Sequence, residues 1–146
     1  MIQIKNVTKL YPAKEAGNGP GKDNGNGAIH ALDHISLHVT AGEWLSIMGP
    51  SGSGKSSLVN LIGCLDQPTS GEIWLDGQNV AGISAAELNR VRAEKIGFIF
   101  QQFHLIPFLT AVENVMLAQY FHSMTDEKEA VEALTRVGLG DRAHHL

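Results

Sequence analysis

One short run of residues has the types and spacing needed to grip phosphate. Gly49-Pro50-Ser51-Gly52-Ser53-Gly54-Lys55-Ser56 fills the pattern G-x-x-x-x-G-K-[ST]. Glycines let a backbone curl until successive N–H groups point inward, and a helix starting near Lys55 adds unpaired N-terminal donors and the positive end of its dipole. The ammonium of Lys55 would reach the β and γ phosphates of a triphosphate. The Ser56 hydroxyl would sit on Mg²⁺ bridging the same oxygens, and Ser57 extends the same first turn. A glycine-rich turn could share this composition, but its flanks argue for the phosphate loop.

Those flanks are the elements that must position it. Trp44-Leu45-Ser46-Ile47-Met48 reads as a buried strand entering the loop, and Ser57-Leu58-Val59-Asn60-Leu61-Ile62 leaves it with helical spacing. Upstream, Ile2, Ile4 and Val7 mark a short strand expected to end at Thr8, after which Lys9-Leu10-Tyr11-Pro12 leaves regular structure. Residues 12–27 carry Gly17, Gly19, Gly21, Gly25 and Gly27 with Asn18, Asn24 and Asn26. That composition buries too little apolar surface to offset the entropy of ordering it, so a mobile loop is expected. Ile35, Leu37 and Val39 alternate with polar residues as a half-buried strand. Thr40-Ala41-Gly42-Glu43 then reads as a tight turn closing a hairpin onto the strand before the phosphate loop.

Beyond the first helix, Asp66-Gln67-Pro68-Thr69-Ser70-Gly71 is turn chemistry, Glu72-Ile73-Trp74-Leu75 a short strand and Asp76-Gly77 a turn. Ser84-Ala85-Ala86-Glu87 is a capping box opening a charged helix to about Glu94, and Thr110-Ala111-Val112-Glu113 opens another to about Tyr120. Thr125-Asp126-Glu127 starts a third, ending at Gly138. Ile96-Gly97-Phe98-Ile99-Phe100 is a continuous apolar run, the mark of a strand buried on both faces of a mostly parallel sheet, and Gln101-Gln102 ends it.

At 146 residues, with 43% hydrophobic residues, the chain suits one domain with its own core. Its formal net charge of −4, with Lys and Arg scattered, argues against a nucleic-acid partner. No stretch reaches the roughly 18 to 20 apolar residues of a membrane span and the N-terminus lacks a signal-peptide layout, which predicts a cytoplasmic chain. Cys64 is placed on the apolar face of the first helix as a small core residue. His104 lies among apolar residues as a structural histidine, and the pair His144 and His145 has no further ligand at metal spacing.

Several of these motifs occur together in one family's order. Tyr11, the phosphate loop with Ser57-Leu58, Leu61-Ile62-Gly63-Cys64-Leu65-Asp66 with Pro68-Thr69-Ser70-Gly71-Glu72, Phe100-Gln101-Gln102-Phe103, Leu105-Ile106-Pro107 and Glu113-Asn114-Val115 closely resemble the nucleotide-binding domain of ABC transporters. The likeness is best to the subgroup that powers lipoprotein release and macrolide export. It implies an α/β P-loop NTPase fold: a RecA-like core sheet on the phosphate loop, an antiparallel N-terminal β layer, and the start of a helical subdomain over about residues 103–146. It implies that ATP and Mg²⁺ bind, that Tyr11 stacks on adenine, and that Gln101 sits beside the metal and γ-phosphate. It also implies a homodimer of such subunits and an integral membrane permease as partner, at the inner face of the cell membrane. The apolar stretch Phe103-His104-Leu105-Ile106-Pro107-Phe108-Leu109 is either the surface that meets that partner or subdomain core.

The chain also departs from the family's pattern. A signature segment like Leu-Ser-Gly-Gly-Gln, a second strand ending in a metal-holding Asp, a following Glu that polarises water, and a switch His have no counterpart here. Asp76 imitates the strand-plus-Asp element but falls in turn chemistry. The expectation is therefore the N-terminal, C-terminally truncated portion of an ATPase, one that binds Mg-ATP but hydrolyses it negligibly, and that aggregates through an open sheet edge. Two other readings remain open: a chromosome-maintenance or repair ATPase head, and a non-catalytic nucleotide-binding module that regulates a partner.

Overall fold

The structure, a computed structural model, describes residues 1–12, 27–120 and 124–146, and the chain divides into two compact units, Met1–Gly97 and Phe98–Leu146. Most of the loop expected to be mobile lies outside the described residues.

The first unit is built on one antiparallel sheet. Its strands are β1 (Ile2–Pro12), β2 (Ala28–Val39), β3 (Ser70–Leu75) and β4 (Gln78–Asn79), in the order β2-β1-β3-β4. β1 is central because it pairs on both sides, Ile4 standing opposite Leu37 of β2 and Ile73 of β3. Its register to β2 shifts between Ile4 and Val7, where Asn6 takes φ +52° and donates its N–H to the Ser36 hydroxyl at 2.9 Å. Gly71 crosses that bulge at φ +93°. A Cβ there would stand 2.4 Å from the Asn6 carbonyl oxygen, so the crossing requires glycine.

Two helices complete this unit, α1 (Lys55–Ile62) and α2 (Ala85–Lys95). The α2 start is the expected capping box: Ser84 Oγ accepts from the Glu87 N–H, and the Glu87 carboxylate accepts from the Ser84 N–H and hydroxyl. The core joins Ile4 and Val7 of β1, Leu32 of β2, Ile73 and Leu75 of β3, Leu58 and Leu61 of α1, and Val91 of α2, all buried. Each large side chain among them contributes about 1.5–3 kcal/mol by leaving water. Cys64 is fully buried in this core, as expected, but it sits past the last residue of α1, at φ +55°. Burial raises its thiol pKa, against the opposing pull of Arg92.

Three expectations are corrected here. β1 does not stop at Thr8. Leu10, Tyr11 and Pro12 pair with His30, Ile29 and Ala28, and Pro12 is tolerated because it closes the strand, where a missing N–H interrupts no ladder. The turn at Thr40–Glu43 forms, with the Glu43 carboxylate accepting from the Thr40 N–H at 2.8 Å and hydroxyl at 2.9 Å, but it closes no hairpin, since β2 pairs with β1. Finally, the two apolar runs expected as buried strands, residues 44–48 beyond the hairpin turn and 96–100 in a mostly parallel sheet, join no ladder, and every strand pair among the described residues is antiparallel. Trp44 is 99% exposed and Ile99 wholly so. A strand buried on both faces needs a neighbour at each edge, and neither run has one among the described residues.

The second unit holds α3 (Ala111–Tyr120), α4 (Glu127–Arg136) and a 3₁₀ turn at Gly140–Arg142. Val112, Ala130, Leu134 and Ala143 form its small core. Thr110 and Glu113 make the second expected capping box, and Asp126 caps α4 by accepting from the Lys128 and Glu129 N–H groups. Gly138, at φ +77°, ends that helix, with the Leu139 N–H returning to the Leu134 carbonyl at 2.9 Å.

Candidate functional site

The phosphate loop is held in place by the sheet below it. Gly54 closes the loop as the N-terminal cap of α1 at φ +87°, and a Cβ on it would lie 2.4 Å from the Ala31 carbonyl oxygen of β2. Both the left-handed backbone and this close approach demand glycine. Ser53 donates its N–H to the Pro50 carbonyl at 3.3 Å, which tightens the curl.

The start of α1 is bare. No side chain caps it and no acidic residue stands in its first turn, so its N–H groups and dipole are left for an external anion. Lys55 folds back over the loop. Its Nζ donates to the carbonyl oxygens of Gly49 at 2.9 Å and Pro50 at 2.7 Å and approaches the Ser53 hydroxyl at 3.4 Å. Ser51 and Gly52 form the exposed tip, and Ser56 lies exposed in the first turn beside the half-buried Ser57. The arrangement concentrates one cation, backbone donors and hydroxyls on one short loop, which is chemistry for a polyphosphate.

The described residues include no cluster of three His, Cys, Asp or Glu side chains able to hold a metal by themselves. A divalent cation at this loop would therefore bring most of its oxygen ligands with it, as the phosphates of a nucleotide do, and Ser56 supplies a free hydroxyl that fits that arrangement.

Tyr11 stands at the far end of β1, beside Lys9 and Asp66, to neither of which the sequence motifs gave a role at the site. Its hydroxyl donates to Asp66 Oδ2 at 2.8 Å. Lys9 donates to Asp66 Oδ1 at 2.6 Å and to the Gln67 carbonyl at 2.7 Å, and its ammonium lies 4.8 Å from the Tyr11 ring centroid. Burial raises the Tyr11 pKa, and the Asp66 carboxylate adds to the rise against an opposing pull from the Ser57 side chain. Burial also pushes the Asp66 carboxyl upward, but its bonds to Lys9, Tyr11 and the Gln67 N–H outweigh that and hold it below the usual carboxylate range. No sequence spacing advertises a pair 57 positions apart. Lys9 is buried in β1, where an ammonium demands a partner, and that burial is set by the fold.

Gln101 belongs to the second unit, where it is exposed in a bend after the stacked rings of Phe98 and Phe100, whose centroids are 5.2 Å apart. His104 meets Phe100 edge-on at 5.1 Å, a packing role. Phe103, Leu105 and Phe108 are largely exposed, while Ile106 and Leu109 are half-buried. Asn114 ties this stretch to α3, accepting from the Ile106 N–H at 2.9 Å and donating to the carbonyls of Ile106, Leu109 and Thr110. Asp76, the imitation of a metal-holding residue, sits in its turn at φ +46° and accepts the Met1 ammonium at 2.7 Å.

The family model for ABC transporters matches residues 32–146. The chain belongs to the ABC transporter family. It is 45% identical over 152 residues to the ABC transporter ATP-binding protein MJ0796 of Methanocaldococcus jannaschii, covering 99% of this chain and 60% of that one. It is 44% identical over 148 residues to the macrolide export ATP-binding/permease protein MacB of Escherichia coli, covering 99% of this chain and 21% of MacB. Among solved structures, the dimeric post-hydrolysis state of MJ0796 bound to ADP and Pi superposes at a TM-score of 0.81 with 43% identity, over 99% of this chain and 61% of that one. The fold is therefore that of an ABC cassette, and this ABC chain spans about 60% of the length of MJ0796. Among the described residues, no helix is long and apolar enough to cross a membrane.

Proposed function

We propose that this chain provides the ATP-gripping part of an ABC transporter's ATP-binding subunit, of the lipoprotein-release and macrolide-export type. The observation that carries the reading is the Lys55 ammonium folded over the loop at the uncapped start of α1. On binding, the lysine exchanges the Gly49 and Pro50 carbonyls for phosphate oxygens, while the α1 N–H groups receive the rest of the phosphate chain. Ser56 holds Mg²⁺ together with the phosphates, and the Tyr11 ring stacks on adenine.

The subunit works as a homodimer on an integral membrane permease, at the cytoplasmic face of the membrane. Support comes from the dimeric MJ0796 structures and from MacB, whose name joins ATP-binding and permease parts. The exposed Phe103, Leu105 and Phe108 are apolar surface of the kind that partners cover. The 146 residues alone bind Mg-ATP without efficient hydrolysis, because clamping phosphate and metal is separate from activating water. Phosphate release near background from wild type, with Mg-ATP raising the thermal midpoint of wild type and not of Lys55→Ala, is the expected result. Turnover lost on Lys55→Ala would overturn the binding-only assignment, and no midpoint shift at millimolar Mg-ATP would overturn the reading itself. The ATPase heads of chromosome maintenance and repair share the loop, but the net charge of −4 disfavours DNA. A purely regulatory nucleotide module gains no specific observation.

A further inference from the structure

The side chains around Tyr11 form a device that the phosphate loop does not need for gripping phosphate. Asp66, just beyond the C-terminal end of α1, accepts two hydrogen bonds from β1: one from the Tyr11 hydroxyl at 2.8 Å and one from the Lys9 ammonium at 2.6 Å. Lys9 is only 11% exposed along its side chain, and its ammonium both neutralises Asp66 and lies 4.8 Å over the Tyr11 ring. Asp66 stands four residues past the end of α1, the helix that begins at Lys55, so the same segment that carries the phosphate-binding turn also carries the partner of the phenol. The ring is thus gripped at its hydroxyl end by Asp66 and from one face by Lys9. The strand end carrying it is fastened to the same segment, because Leu10 donates its N–H to the Thr69 hydroxyl at 2.9 Å and Thr69 donates its own to the Thr8 carbonyl at 2.9 Å.

We propose that Asp66 is a positioning residue for nucleotide binding, fixing the angle and depth of the Tyr11 ring relative to the phosphate loop so that a nucleoside triphosphate binds more tightly than its bare phosphate chain. This rests on the reading of Tyr11 as the base-stacking residue. An aromatic ring on a strand end samples several rotamers, and each that must be abandoned on binding weakens the complex. A ring held in advance avoids that cost. Asp66 touches neither base nor phosphate, and acts only through Tyr11 and Lys9.

The test compares two ligands on the same protein by calorimetry, Mg-ATP and magnesium tripolyphosphate, which has the phosphates without the base. Asp66→Ala removes both bonds. Tyr11→Phe keeps the ring and the Lys9–Asp66 ion pair but removes the hydroxyl, and it decides the matter if the alanine variant does not fold. Both variants are expected to weaken ATP about five- to tenfold while tripolyphosphate stays within about twofold of wild type. Equal weakening of both ligands, or no change in ATP, overturns the positioning role. Wild type that binds tripolyphosphate as tightly as ATP overturns the stacking of the base and this inference with it. Wild type that binds neither ligand overturns the phosphate-loop reading instead, a distinguishable result.

Discussion

The Lys55 ammonium lies 2.7 Å from the carbonyl oxygen of Pro50, inside the loop that its own sequence motif defines. The cation therefore has partners before any ligand arrives, and binding exchanges them without uncovering a buried charge. Because those partners lie at the surface, Lys55→Ala is expected to change unfolding free energy by no more than about 0.5 kcal/mol. The same substitution removes charge-assisted bonds to phosphate, so it should weaken a fluorescent ATP analogue by at least about tenfold. Denaturant titration and fluorescence anisotropy on one preparation measure both effects.

Gly54→Ala should behave in the opposite way. Its added Cβ meets the Ala31 carbonyl oxygen at 2.4 Å, and its φ of +87° is strained for any L side chain. The strain alone costs roughly 1–2 kcal/mol, and the clash must also displace β2 or the loop. A loss of about 2–4 kcal/mol in urea unfolding is expected, together with lost nucleotide binding. A Gly54→Ala protein as stable as wild type would show that the loop does not rest on β2.

Asp66 sets an acid limit. Its pKa in the folded chain is depressed relative to the unfolded one, so it contributes stability that is fully present above the unfolded value, near 4, and is lost as pH falls through the folded value. From pH 7 to about 5 this group adds no pH dependence. Below about 4 it should steepen acid unfolding, and Asp66→Asn should flatten the slope of unfolding free energy there. Circular dichroism melts between pH 2.5 and 7 read this directly.

Asn114 is the fastener of the exposed apolar stretch. With its side chain removed, the Ile106 N–H and the Leu109 carbonyl lose their partner, while the carbonyls of Ile106 and Thr110 keep only the backbone donors of Leu109 and Asn114. Asn114→Ala is expected to destabilise by about 1–3 kcal/mol, with hydrogen exchange accelerating first at the Ile106 amide. Exchange at Ile106 unchanged in the variant would contradict the assignment.

How legible these features were depended on the range of the interactions behind them. The capping boxes at Ser84 and Thr110, the stop at Gly138 and the turn at Asp76-Gly77 are made within a few residues of chain, and sequence predicts them. Pairing partners are not local. The alternation of Ile35, Leu37 and Val39 signals a strand without saying that its neighbour is β1, and the apolar run at 96–100 signals capacity for burial without supplying a neighbour. The phosphate loop could be read because its chemistry sits in consecutive residues. The Lys9, Tyr11 and Asp66 cluster could not, since only the fold brings positions 9 and 66 together.

The central claim is that the loop from Gly49 to Ser56 binds a magnesium-loaded nucleoside triphosphate through its phosphates. Isothermal calorimetry of the folded chain with Mg-ATP, and separately with adenosine, tests it most directly. The account predicts saturable heat with Mg-ATP and none with adenosine at the same millimolar concentration. Equal heats for the two, or none for either, would contradict it.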